Sequence, residues 1–227
     1  MRFLVLSDIH GDTEKLEKLD EEFARADAVL FAGDFARLKD PSSALGVLNT
    51  LIEKHDSLFC VLGNCDEKDF LTELENLDVS VEGDLVLRDG LAFGGAGGGL
   101  KFTGDTPFER TEEDLAGDLS IVGEKGDCGN VILLIHHPPY DTKLDVAGGG
   151  PHVGSKLSRA FIEKHKPLAV ISGHIHESFA VDKLGPTVLM NPGAVTDGRY
   201  GILEVKHDAK TDSWSVTKAE LKTIPER

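Results

Sequence analysis

Five short apolar runs recur along the chain, and each stops at residues able to hold a metal ion. Phe3 to Leu6 leads into Asp8 and His10, Ala28 to Phe31 into Gly33 and Asp34, and Leu58 to Leu62 into Gly63, Asn64, Cys65 and Asp66. Val131 to Ile135 leads into His136 and His137, and Leu168 to Ile171 into Gly173, His174 and His176. Runs this short and this rich in Val, Ile, Leu and Phe read as strands covered on both faces. Strands of an open α/β sheet present functional groups in the crevice beyond their carboxyl ends, so the pattern predicts chemistry at one edge of one sheet. A lone Asp after a strand is a common cap and a lone His a common structural polar group. Five such ends in one chain exceed that ordinary explanation.

Between the runs the apolar period changes to three and four. Leu16, Leu19, Phe23 and Ala26 mark a helix capped by Asp12 or Thr13. Leu45, Leu48, Leu51 and Ile52 mark another from about Pro41 to His55, with Pro41 in the first turn. Alternating strands from Val79 to Phe93, broken by Gly83 and by Asp89 and Gly90, predict a hairpin and the start of a second sheet. Gly94 to Gly99 is followed by neither Gly-Lys-Ser/Thr nor a helix opening, and reads as a flexible loop where backbone passes close to the site. Short helices are expected from Thr111 or Glu112 to Asp118 and from Ser155 to His165, the latter capped by Ser155. Phe179 to Lys183, Thr187 to Met190, Arg199 to Val205 and Trp214 to Leu221 read as strands completing the second sheet. No repeat or linker divides residues 1–227, so one domain is expected.

Charge narrows the partners. The formal net charge is -16 and the pI near 4.9, so a phosphate backbone meets repulsion and no nucleic-acid partner is expected. The acidic stretches Thr13 to Arg25, Glu67 to Asn76 and Glu109 to Asp118 read as solvated faces. Cys60, Cys65 and Cys128 have neither disulfide nor zinc-ribbon spacing, which fits a reducing compartment. No export signal precedes the strand-like Arg2 to Leu6, and no apolar run approaches the roughly 20 residues of a membrane helix. A soluble, cytoplasmic protein without a membrane partner is expected.

The mixture of Asp and His at the strand ends favours Mn, Fe, Zn or Co over the oxygen-only sites of magnesium and calcium. Asp8, His10, Asp34, Asn64, His136, His174 and His176 offer more donors than one ion accepts, so two ions sharing Asp34 are the economical arrangement. Two ions about 3.5–4 Å apart polarise a phosphoryl oxygen and acidify water for in-line attack. Hydrolytic phosphoryl chemistry is the predicted outcome.

Asp-x-His, Gly-Asp, Gly-Asn-x-Asp, a strand-end His and Gly-His-x-His, in that order over residues 3–176, resemble the calcineurin-like metallophosphoesterase superfamily. The resemblance implies an α/β fold, a four-layer α/β/β/α sandwich with two mixed sheets. It implies one divalent ion on Asp8, His10, Asp34 and His176 and another on Asp34, Asn64, His136 and His174, with manganese favoured among Mn, Fe, Zn, Ni and Co. His136 is preferred to His137 because it directly follows the apolar strand. Where most members carry His after Asn64, this chain has Cys65. A thiol near two cations tends toward thiolate and donates a proton poorly. Gly-Asn-Cys-Asp resembles a small branch mostly described as phosphodiesterases, and Gly94 to Asp114 resembles predicted phosphoesterases related to bacterial cyclic-nucleotide phosphodiesterases.

The catalytic candidates are therefore Asn64 and Cys65, with His152 as a substitute proton donor. Gly154 and Ser155 at a helix N-terminus, and Arg37, are candidates for holding phosphate. The function expected is hydrolysis of a small phosphodiester. A phosphomonoesterase or protein phosphatase of the same fold is the nearest alternative, and a noncatalytic metal-binding scaffold the alternative of another class.

Overall fold

Runs of aliphatic and aromatic residues become strands here because both of their faces find apolar cover. A computed structural model of the chain describes residues 1–102 and 104–224. In order, the elements are β1 (Arg2–Leu6), α1 (Asp20–Arg25), β2 (Ala28–Phe31), α2 (Ser43–Lys54), β3 (Leu58–Cys60), α3 (Leu71–Asn76), β4 (Leu85–Arg88) and β5 (Leu91–Ala96). They continue as β6 (Gly99–Leu100), β7 (Glu109–Arg110), α4 (Glu112–Asp118), α5 (Ser120–Glu124), β8 (Val131–Ile135), α6 (Lys156–His165) and β9 (Ala169–Ile171). The last four are β10 (Ala180–Leu184), β11 (Thr187–Asn191), β12 (Arg199–Asp208) and β13 (Ser213–Thr223).

Two mixed sheets face one another, in the orders β13-β12-β1-β2-β3 and β10-β11-β9-β8-β5-β4. Side-chain alternation sorts the layers. Phe3, Val5, Leu30 and Phe59 of the first sheet pack against Phe93, Ile132, Leu134 and Met190 of the second. The Phe59 and Phe93 rings stack with centroids 4.0 Å apart, and Phe3 meets Phe93 edge-on at 5.9 Å. Leu4, Leu6, Val29 and Phe31 face outward onto Phe23, Val47, Leu48 and Leu51 of the helices. On the far side, Val131, Leu133 and Val170 meet Leu115, Val122 and Ile162. The result is the expected α/β/β/α sandwich.

Three expectations are corrected. The five chemistry-bearing strands do not share a sheet: β1, β2 and β3 run parallel in the first, and β8 and β9 run parallel in the second. Their carboxyl ends meet across the sandwich, because strands buried on both faces carry no pattern that says which sheet they join. The final strands are also divided, with β10 and β11 completing the second sheet and β12 and β13 the first. Gly94 and Gly95 are not loop residues but part of the buried strand β5. A Cβ on Gly95 would stand 2.3 Å from the Leu134 carbonyl oxygen and 2.6 Å from Val61 Cγ1, so the glycine permits close sheet packing. The expectation of close approach does hold at Gly99, where a Cβ would lie 3.0 Å from that of Asn64.

The helices fall near their expected places, with differences at the ends. The first opens as 3-10 turns over Glu14–Leu19, and Asp12 rather than Thr13 accepts an amide there, from Glu14 at 3.1 Å. Thr111 closes a full capping box with Asp114 at α4. The short α5 has no counterpart among the expected helices.

Because Phe93 packs against two other rings at the centre of the inter-sheet core, Phe93→Ala should cost about 4 kcal/mol. Urea denaturation of the metal-free protein measures it, and a loss under about 1 kcal/mol would contradict this packing account.

Candidate metal centre

The loops beyond the strands are held in unusual backbone. Asp8 (φ 57°), His10 (φ 48°), Asp34 (φ 63°) and His174 (φ 67°) all adopt the left-handed conformation. That conformation is uncommon outside glycine, and such strain persists where surrounding structure over-determines it. Close approach is the second constraint. A Cβ on Gly63 would stand 2.0 Å from Asp34 Oδ1, and one on Gly173 would stand 2.7 Å from Asp8 Oδ2.

Asp66 fastens two of these loops together. Its buried carboxylate accepts amides from Asp34 (3.1 Å), Phe35 (3.2 Å), Ala36 (2.7 Å) and Gly63 (2.7 Å). Burial and the neighbouring Asp34 charge push its pKa up to about 7, against the pull of those amides. Asn191, at the end of β11, braces the other sheet by donating to the carbonyls of Gly173 (3.3 Å) and Ile175 (2.9 Å). Neither role is among the sequence-based expectations. A signal for Asn191 exists, since it ends a further apolar run beginning at Thr187.

The donors converge around Asp8 and Asp34. Ligand atoms of Asp8, His10 and His176 lie within 4.8 Å of one another, as do those of Asp8, Asp34 and His136. Asp34 Oδ2 stands 3.7 Å from His10 Nε2 and 3.6 Å from His136 Nε2, the position a shared ligand would take. His136 Nε2 is also 2.9 Å from Asn64 Oδ1. The Nδ1 atoms of His10 and His136 face the carbonyls of Ala36 (3.2 Å) and Ala32 (2.6 Å), which leaves each Nε2 aimed into the cluster. His174 lies outside these compact groups. Its ring is 5.3 Å from that of His136, and burial followed by the nearby imidazoles lowers its pKa, favouring the neutral, ligating form. Imidazoles and carboxylates with these supports fit borderline divalent ions.

The two candidates that follow β8 separate clearly. His137 has Nε2 3.0 Å from the Val153 carbonyl, and its Nδ1 accepts the Leu100 amide at 3.4 Å. Burial lowers its pKa to about 4, so it is a neutral loop support while His136 faces the cluster.

Cys65 joins the cluster, its Sγ lying within 4.8 Å of ligand atoms of His10 and Asp34. Its amide donates to Asp34 Oδ1 at 2.8 Å. The expected drift toward thiolate is opposed by the protein itself: burial, then the charge of Asp34, push the thiol well above its ordinary pKa. Only bound cations would pull it down.

Three of the other candidates, His152, Gly154 and Ser155, already have partners within the protein. His152 has Nδ1 2.7 Å from Asp145 and Nε2 3.7 Å from Asp141, so both nitrogens face carboxylates rather than the cluster. The amide of Gly154 donates to Asp145 at 3.0 Å and that of Ser155 to the Pro138 carbonyl at 2.9 Å. The free amides of α6, from Lys156 (3.0 Å) and Leu157 (3.1 Å), are taken by Glu112. An internal carboxylate therefore fills the anion site that a phosphate was expected to use. Arg37 is exposed, and its guanidinium has no partner among the described residues.

Proton linkage follows from His176, whose Nε2 is 3.2 Å from Asp8 Oδ1. That bond raises the imidazole from 6.5 to about 9, with burial opposing. Burial also opposes ionisation of Asp8, but the His176 bond and surrounding imidazoles outweigh it and hold the carboxyl well below its usual range. A raised folded pKa stabilises fully below the unfolded value and less as pH climbs through the folded one. Metal-free protein should thus lose stability between pH 6.5 and about 9. Loading manganese at pH 7 should release a proton, visible as a buffer-dependent heat in calorimetry; identical heats in all buffers would contradict the linkage. Asp66→Asn, which leaves amide donors facing an amide, should cost about 3 kcal/mol in metal-free denaturation.

The sequence matches the family described as calcineurin-like phosphoesterase over residues 1–178. An uncharacterized protein of Methanocaldococcus jannaschii, MJ1162, is 32% identical over 198 residues, covering 85% of this chain and 88% of its own. The fold is similar to that of TT1561 of Thermus thermophilus, with a TM-score of 0.71, 19% identity and 99% of both chains covered. It is also similar to a putative 5'-nucleotidase from Staphylococcus aureus, with a TM-score of 0.68, 17% identity, all of this chain and 54% of that one. With the motif order, the sandwich and the ligand cluster in agreement, the chain belongs to the calcineurin-like phosphoesterase family.

Proposed function

We propose that the protein hydrolyses small phosphodiesters with two divalent ions, manganese being the favoured metal. Asp8, His10, Asp34 and His176 would hold one ion and Asp34, Asn64, His136 and His174 the other. Two ions so held supply Lewis acidity and an acidified water. The chain's own contribution is orientation: the Ala32 and Ala36 carbonyls fix His136 and His10, and Asp66 fixes the loop that carries Asp34. Arg37, exposed beyond that loop, is the proposed phosphate contact.

The preference for diesters rests on Cys65. Monoester transfer passes through a loose transition state that leaves much charge on the departing oxygen, where a proton donor helps most. A buried thiol surrounded by Asp34, Asp66 and Asp8 is a poor donor near neutral pH. Diesters, with less charge on the leaving oxygen, depend on it less. No helix among the described residues is long and apolar enough to cross a membrane. The three cysteines are free, which supports the reading of a reducing cytoplasm.

Purified protein reconstituted with Mn should hydrolyse an aryl phosphodiester faster than the matching monoester, and other divalent ions should restore less activity. No turnover of either ester with any metal would end the enzyme reading. Cys65→His should raise the monoester rate at least about tenfold and the diester rate less, as expected for a restored general acid. Equal gains would remove the explanation from Cys65.

A further inference from the structure

Beside the metal centre lies a cleft of about 290 Å³ that none of the proposed ligand roles accounts for. Asn64, His174 and His137 form its floor, Leu100, Val153 and Ile175 contribute apolar walls, and Lys101 and Phe102 belong to its rim. Ligand clefts of this kind are mostly apolar with a few placed polar groups, and this one lies just under their usual range of about 300–1,000 Å³.

Phe102 is 91% exposed, and it is the only aromatic among the large exposed hydrophobic residues described. Its backbone is nevertheless held. The Glu109 carboxylate accepts the Phe102 amide at 3.3 Å, the Gly104 amide at 3.0 Å and the Thr106 hydroxyl at 3.3 Å. Glu109 and Thr106 themselves line the cleft. A ring displayed in water by an anchored backbone, beside an apolar cleft that reaches the metal ligands, offers a flat face to another ring.

We propose that this cleft holds the organic half of the substrate as a planar aromatic ring of nucleobase type, stacked on Phe102 beside Asn64 and His174. The proposal deepens the phosphodiesterase reading and rests on it for the placement of the phosphate at the metal centre. The apolar walls exclude a second charged phosphate from the cleft and accept the ring's edge. Glu109 is a positioning residue, since it acts through the loop it fastens.

Binding separates the ring from the phosphate. Isothermal titration of the Mn-loaded protein with adenosine monophosphate and with ribose 5-phosphate compares ligands that differ only by the base. The expected result is about tenfold tighter binding of the nucleotide, as base stacking on an aromatic side chain provides. Phe102→Ala and Phe102→Leu should abolish that preference, and Phe102→Trp should keep it, while affinity for ribose 5-phosphate stays constant in all three. The position is too exposed for these changes to endanger folding. Equal affinity for the two ligands, binding of neither, or a preference surviving in Phe102→Ala would overturn the proposal. If the preference depends on Phe102 but no diester is hydrolysed, the aromatic subsite stands and the phosphodiesterase reading falls.

Discussion

Three carboxylates, those of Asp8, Asp34 and Asp66, are buried at one end of the sandwich, and the surrounding architecture answers their charge. Desolvated carboxylates without partners are costly, and neighbouring ones repel. Asp66 is satisfied by four amides. Asp8 is met by His176 and by the amide of His174. Asp34, accepting the Cys65 amide and standing between His10 and His136, retains capacity for cations. The left-handed turns and the close-packed glycines are what it takes to bring these groups into so small a volume.

The inter-sheet core makes that arrangement reproducible. The rings of Phe3, Phe59 and Phe93 fix the spacing of the sheets. The contact of His136 with the Ala32 carbonyl ties their ends directly above it. The proposed ligands thus sit just beyond strand ends, whereas the cleft is lined in part by the loop residues Lys101, Phe102 and Thr106. A rigid reacting centre with loop-built surroundings lets chemistry stay constant while the acceptable substrate changes.

Strand ends are legible in the sequence because apolar runs and their polar stops are local. Asp8, Asp34 and His136 can be singled out without coordinates, and so can the helix capped by Ser155. Which strands pair is not legible, since β1 and β8 present the same doubly apolar pattern to different sheets. Gly95 reads as loop because flexibility and close packing use the same residue, and only the nearby Leu134 carbonyl distinguishes them. The surroundings of Ser155 are hidden for a related reason: the helix end is real, but its bonds to Glu112, more than forty positions away, appear only in three dimensions. Asp66 stands in plain view within Gly-Asn-x-Asp, yet four amides spread over two loops become its partners only in three dimensions.

Division of the proposed ligands between two sheets also has a temporal side. During synthesis Asp8, His10, Asp34 and Asn64 emerge first, bringing two of the buried acids but only one of the imidazoles. His136, His174 and His176 follow after a further seventy residues and more, and β12, the partner of β1, comes later still. A nascent chain that has reached only Asn64 therefore carries an incomplete set of the proposed donors, and a metal held by all of them would await the second sheet. Cofactor loading would then be a late event in the life of the polypeptide and a marker of its completed assembly.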